Sequence, residues 1–98
     1  PDAEAEGRLA LAASLSALGR HDEALAALPA LEGRLESRAR LEFPARQLLD
    51  LTEAVHAKVM LASGDVDGAR ARAQALLSRL RPNTLPARLA AEVLAAEP

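Results

Sequence analysis

Apolar residues recur along this chain at helical spacing. Leu11, Leu15 and Leu18 fall at i, i+4 and i+7 with Ala5 and Ala12 beside them, which predicts a first helix. Asp2 is placed to cap it, and Glu4 and Glu6 lie near the positive end of its dipole. Gly19 stands where a helix usually ends in a left-handed residue. A second helix follows with Ala24, Leu28, Leu31 and Leu35 on one stripe, Asp22 as its natural cap and Glu23 in its first turn. Pro29 lies inside this helix and removes one backbone donor, so the helix is expected to kink there and continue to about Glu42. Pro44 suits the first turn of a third helix running to about Ser63. Leu48, Leu51, Val55, Val59 and Ala62 share one of its faces, and Leu49, His56 and Met60 widen the apolar arc, as expected of a helix with neighbours on two sides. Gly64 ends it. Asp65 or Asp67 caps a fourth helix with the stripe Val66, Ala69, Ala73, Leu76 and Leu80. After the break at Arg81-Pro82-Asn83-Thr84, a fifth helix carries Leu85, Leu89, Val93 and Ala96 inward.

Composition narrows this to an all-α domain. The 98 residues are 50% hydrophobic, with a single Phe, a single Met and no Trp or Tyr. Val is the one β-branched aliphatic residue present, which argues against a sheet, while small and branched side chains favour close helix-on-helix packing. The chain fits one domain, with one helical unit over about 3–42, a second over about 44–81 and a terminal helix over about 84–97. A net charge of −2 exerts no global attraction for nucleic acid or acidic membranes. Absence of cysteine excludes disulfides, thiolate chemistry and Cys-containing zinc sites. The longest uncharged run, Leu9 to Gly19, falls short of the roughly 18 apolar residues that a membrane span needs. Starting at Pro1 without Met, the chain reads as a piece of a longer protein.

The corners "LGRHDEAL" (18–25) and "ASGDVDGA" (62–69) repeat one another. With Gly19 set on Gly64, Asp22 falls on Asp67, Ala24 on Ala69, Leu15 on Met60, Ala12 on Ala57 and Leu31 on Leu76. This doubled helix–turn–helix unit resembles the tetratricopeptide repeat, with Ala12 and Ala24, then Ala57 and Ala69, at the small positions where paired helices approach. The glycines are 45 residues apart against roughly 34 in the standard repeat, and Leu or Met fills the family's aromatic positions. In this the chain looks more like the lengthened helical arrays of large bacterial transcription regulators. The resemblance implies a short right-handed α-solenoid of antiparallel helix pairs with a concave groove lined by the first helix of each pair. Glu6, Leu9, Ala13 and Ser16, then Leu51, Ala54, Lys58 and Leu61, would face that groove.

Candidate chemistry is sparse. His21, Asp22 and Glu23 sit together, but the repeat accounts for Asp22 as a cap, and Val66 occupies the position of His21 in the second unit. Glu53 and His56 have the Glu-x-x-His spacing of carboxylate-bridged metal bundles, yet a second such motif is missing and His56 reads as packed on the apolar third helix. Arg70, Arg72, Arg79, Arg81 and Arg88 occupy an acid-free window, read as a solvated basic face; without aromatic residues to stack bases, nucleic acid is not the expected partner. No nucleophile elbow or phosphate-cradling loop is present. No catalytic residue, metal or cofactor is therefore expected.

The expected function is a non-catalytic protein–protein interaction scaffold in the cytoplasm, taking an amphipathic helix or an extended apolar peptide. Lys58 is the one basic residue in the implied groove, which argues against the gripping of chaperone carboxylates known in the family. The alternatives are a structural repeat segment of a larger signal-dependent transcription regulator, and a homodimerising helical bundle. The last helix is the expected association edge, because Leu94 with Ala87, Ala90 and Ala91 leaves it too apolar for a capping element.

Overall fold

The computed structural model describes residues 3–40 and 42–96, and these form helices without strands. In chain order they are α1 (Ala3–Ala17), α2 (His21–Ala39), α3 (Phe43–Ser63), α4 (Val66–Leu77) and α5 (Leu85–Ala95). The expected Asp2 cap and the end of the fifth helix at 97 lie outside the described residues. None of the described helices is long and apolar enough to cross a membrane.

The two corners coincide in detail. Gly19 and Gly64 both take positive φ, 83° and 102°, where a Cβ would be strained. The Gly19 amide donates to Ser16 O and that of Arg20 to Leu15 O; the Gly64 amide donates to Leu61 O and that of Asp65 to Met60 O. Both corners thus close orphan carbonyls of the preceding helix through the same pair of bonds. The caps that follow differ, and one differs from expectation. Asp22 does not cap α2; the helix starts at His21, and Arg20 occupies the cap position without a side-chain cap bond. Asp65, the counterpart of Arg20, does cap α4 by accepting from the Gly68 amide at 3.0 Å. Arg20, which has no acceptor to offer, instead pairs with Glu23.

Pro29 does not stop α2, which runs unbroken to Ala39 rather than to Glu42. Its lost donor lies on an exposed face, while Ala24, Leu28, Leu31 and Leu35 are buried as expected. The inner stripe of α1 differs from expectation. Leu11 and Leu18 are exposed, at 59% and 73%, and Ala5, Leu9 and Ala12 face inward. Both sets have helical spacing, but close approach of α2 and α3 to α1 favours the set with two alanines. On α5 the buried set is Ala87, Ala90 and Val93, whereas Leu85 is 51% exposed.

Helix α3 is central. It packs on α2 and α4, its chain neighbours, and also on α1 and α5. Two buried clusters result. Ala12, Ala24, Leu28, Leu35 and Leu49 belong to the first, at α1–α2–α3. The second, at α3–α4–α5, holds Ala57, Ala69, Ala73, Leu76 and Val93. The backbones of α2 and α4 do not pack directly on each other.

Candidate functional site

A band of charge crosses the face where α2, α3 and α4 meet. On α3, Asp50 and Glu53 are three residues apart and so project from one side; Arg72 lies on α4 and Arg79 in the turn that follows it. The two sets pair. The Arg79 guanidinium donates to Asp50 Oδ1 at 2.7 Å and to Glu53. Arg72 reaches Glu32 on α2 at 3.3 Å, and the same Glu32 oxygen lies 2.8 Å from Nδ1 of the buried His56. Arg46 completes the band with a looser pairing to Asp50 at 3.6 Å. Long side chains thereby bridge α2 to α4, whose backbones stay apart. A cleft beside this band is lined by Glu53, Met60, Gly68, Arg72 and Arg79. Each acid along it faces a cation, and among the described residues no buried side-chain polar atom lacks a partner.

This arrangement separates Glu53 from His56. The carboxylate turns to Arg79, just past the end of α4, and the imidazole to Glu32 of α2. Among the described residues no group of three or more ligating side chains is placed to hold a metal. His21 points back to Ser16, with Nδ1 2.8 Å from Oγ, while Glu23 pairs with Arg20. The corner triplet therefore does not converge.

Burial pushes the Glu53 carboxyl above the usual carboxylate range, and the nearby Glu32 and Asp50 add to this against the pull of Arg79. A carboxyl raised in the folded state binds more protons there than in the unfolded chain. Its stabilising contribution is therefore full below the unfolded value, about 4.3, and is lost as pH rises through the folded value. Glu53→Gln removes that dependence. In urea unfolding at a series of pH values, the stability of the variant relative to the parent should improve from pH 4 upward. A difference that stays level or falls would contradict the assignment.

Other expected site residues land in different environments. Leu9 and Ala54 are buried, at 7% and 0%, and cannot meet a ligand in a groove. Glu6, Ala13 and Lys58 are exposed, and Ser16, Leu51 and Leu61 half-buried. Lys58 binds Glu92 of α5 at 2.8 Å. The expected association edge also changes: Ala87 and Ala90 are core residues, Leu94 is half-buried against the second cluster, and Ala91 alone of the four is exposed. Arg70 reaches the carbonyl oxygens of Leu94 and Ala96 and so satisfies the C-terminal end of α5. The basic window is therefore not one solvated face, because Arg70, Arg72 and Arg79 are engaged within the fold.

No family model matches the chain, and neither the curated proteins nor the solved structures contain a match.

Sequence reasoning missed Glu32, the acid shared by His56 and Arg72. It also missed a short motif. Phe43-Pro44-Ala45-Arg46 at the start of α3 recurs as Leu85-Pro86-Ala87-Arg88 at the start of α5. In each copy the first residue is exposed, the proline sits in the first turn and the alanine is buried. The doubled Pro-Ala-Arg was the available signal.

Proposed function

We propose that the chain is a non-catalytic interaction scaffold of the tetratricopeptide-like kind, a short right-handed array of antiparallel helix pairs that presents the surfaces of α1 and α3 to a peptide. The observation that carries this reading is the order of contacts. The first helices of successive pairs touch, α1 with α3 and α3 with α5, while α2 and α4 do not. Stacked helix pairs curving toward one side have this adjacency, since each unit contacts only its neighbours. The matching corners and the matched alanines Ala12–Ala24 and Ala57–Ala69 add a second line of support. The groove is smaller than the repeat pattern implied, because Leu9 and Ala54 belong to the core. Glu6, Ala13, Ser16, Leu51, Lys58 and Leu61 are its available residues, and an amphipathic helix or extended apolar peptide is the occupant they suit.

Selection of displayed random peptides on the immobilised chain tests the reading. Retained peptides should shift the backbone amides of α1 and α3 around Ala13 and Leu61 in NMR titration. Failure to retain any peptide above background would end the scaffold reading.

A further inference from the structure

The starts of α3 and α5 border a hollow of about 600 Å³. Its apolar lining is unusual in being presented to solvent: Phe43, the sole aromatic residue of the chain, is 72% exposed, and Leu85 is 51% exposed. Leu51, Leu80 and Pro86 extend this surface inward. Three guanidinium groups line the same hollow, from Arg46, Arg79 and Arg81, against one carboxylate, that of Asp50. Asp50 is already engaged by Arg79 at 2.7 Å and more distantly by Arg46. Arg81 has no acidic partner among the described residues. The backbone adds to the imbalance. Glu42, at the cap position of α3, makes no side-chain cap bond, and neither α3 nor α5 has an acid in its first turn. No carboxylate therefore stands in the first turn of α5, and α3 has Glu42 alone, which pairs back with Arg38.

We infer that this hollow docks an acidic peptide segment of a partner protein, one that carries a bulky apolar side chain beside its carboxylates. Charge complementarity selects the occupant: three guanidinium groups line the hollow against Asp50, with Glu53 also drawn to Arg79, so the lining stays net positive and a basic or neutral segment would leave Arg81 unanswered. The apolar side chain covers Phe43 and Leu85, and the carboxylates meet Arg81 and Arg46. The site lies at the helix starts rather than along the face between α1 and α3. It deepens the scaffold reading by naming a partner chemistry, and rests on that reading in so far as the occupant is a peptide.

The test is a selection of displayed peptides randomised over Asp, Glu, Lys, Arg, Leu, Phe and Ser, followed by fluorescence anisotropy of the retained peptides. Arg81→Glu and Phe43→Ser serve as variants, since both side chains are exposed and both proteins should keep the parent's circular dichroism. The retained pool should be enriched in Asp and Glu together with Leu or Phe. Each substitution should weaken binding at least about tenfold, and raising salt should weaken it further. A pool without acidic bias, or binding untouched by both substitutions, overturns this docking site while the scaffold reading stands. Retention of no peptide at all overturns both.

Discussion

Leu28→Ala should destabilise the chain by about 2–5 kcal/mol, the range for deleting most of a buried leucine side chain. Leu28 is fully buried in the first cluster, where α2 meets α1 and α3, and is among the largest side chains with that degree of burial. The cost has two parts, the lost transfer of the removed methyl groups from water and the cavity left when the backbones cannot collapse around it. Here collapse is restricted, because Ala12 and Ala24 already hold α1 and α2 close and have nothing further to give. The corresponding position of the second unit is Ala73, also fully buried, so the second cluster reaches closure with less volume at that point. A domain of this size is held by about 5–15 kcal/mol, so Leu28→Ala removes a large share of it. Urea unfolding measures the loss, and a change below about 1 kcal/mol would show that the cluster is not closely packed at Leu28.

Enlarging the matched alanines should also be costly. Ala24→Leu and Ala69→Leu are each expected to lose about 1–3 kcal/mol by overpacking. Ala24 and Ala69 are both fully buried, and each shares its cluster with a buried alanine of the preceding helix, Ala12 or Ala57. Three added carbons at either site must push two helices apart or force strained rotamers. Ala27→Leu, on the exposed side of α2, is the control and should stay within about 0.5 kcal/mol of the parent. At this chain length each kcal/mol corresponds to roughly 4–8 °C in Tm, so thermal melts resolve the comparison. Melts in which both leucine variants match the parent would remove the helix-pair argument on which the repeat rests.

Much of the fold was legible because it depends on local interactions. Gly19 and Gly64 marked the corners, since left-handed backbone favours glycine in any context. Asp65, one of the two caps offered for α4, takes that role because a short side chain reaches only its own first turn. The face of α2 was readable because Glu32, Arg34, Glu36 and Arg38 mark where the apolar stripe stops. The candidate site was less legible. His56 was correctly read as packed rather than exposed, but its partner Glu32 is on another helix, and the docking hollow depends on two helix starts far apart in the chain.

What the amino-acid sequence determined by itself was the set of elements: five helices, their corners, and the duplication that sets Gly19 on Gly64. Those features arise from hydrogen bonds and dihedral preferences within a few residues. Tertiary structure decided which way α1 and α5 face. From Leu9 to Gly19 no charge marks a polar side, so periodicity centred the stripe on Leu11, Leu15 and Leu18, with Ala5 and Ala12 only beside it. Packing against α2 and α3 selected Ala5, Leu9 and Ala12 and left Leu11 and Leu18 in water. The same holds for the charges. Arg72 and Arg79 read as a basic face on their own helix, and only the placement of α4 beside α3 and α2 brought Glu32, Asp50 and Glu53 within reach of them. A guanidinium at the end of a long side chain can find its acid 26 to 40 residues away, and nothing in the local pattern specifies which.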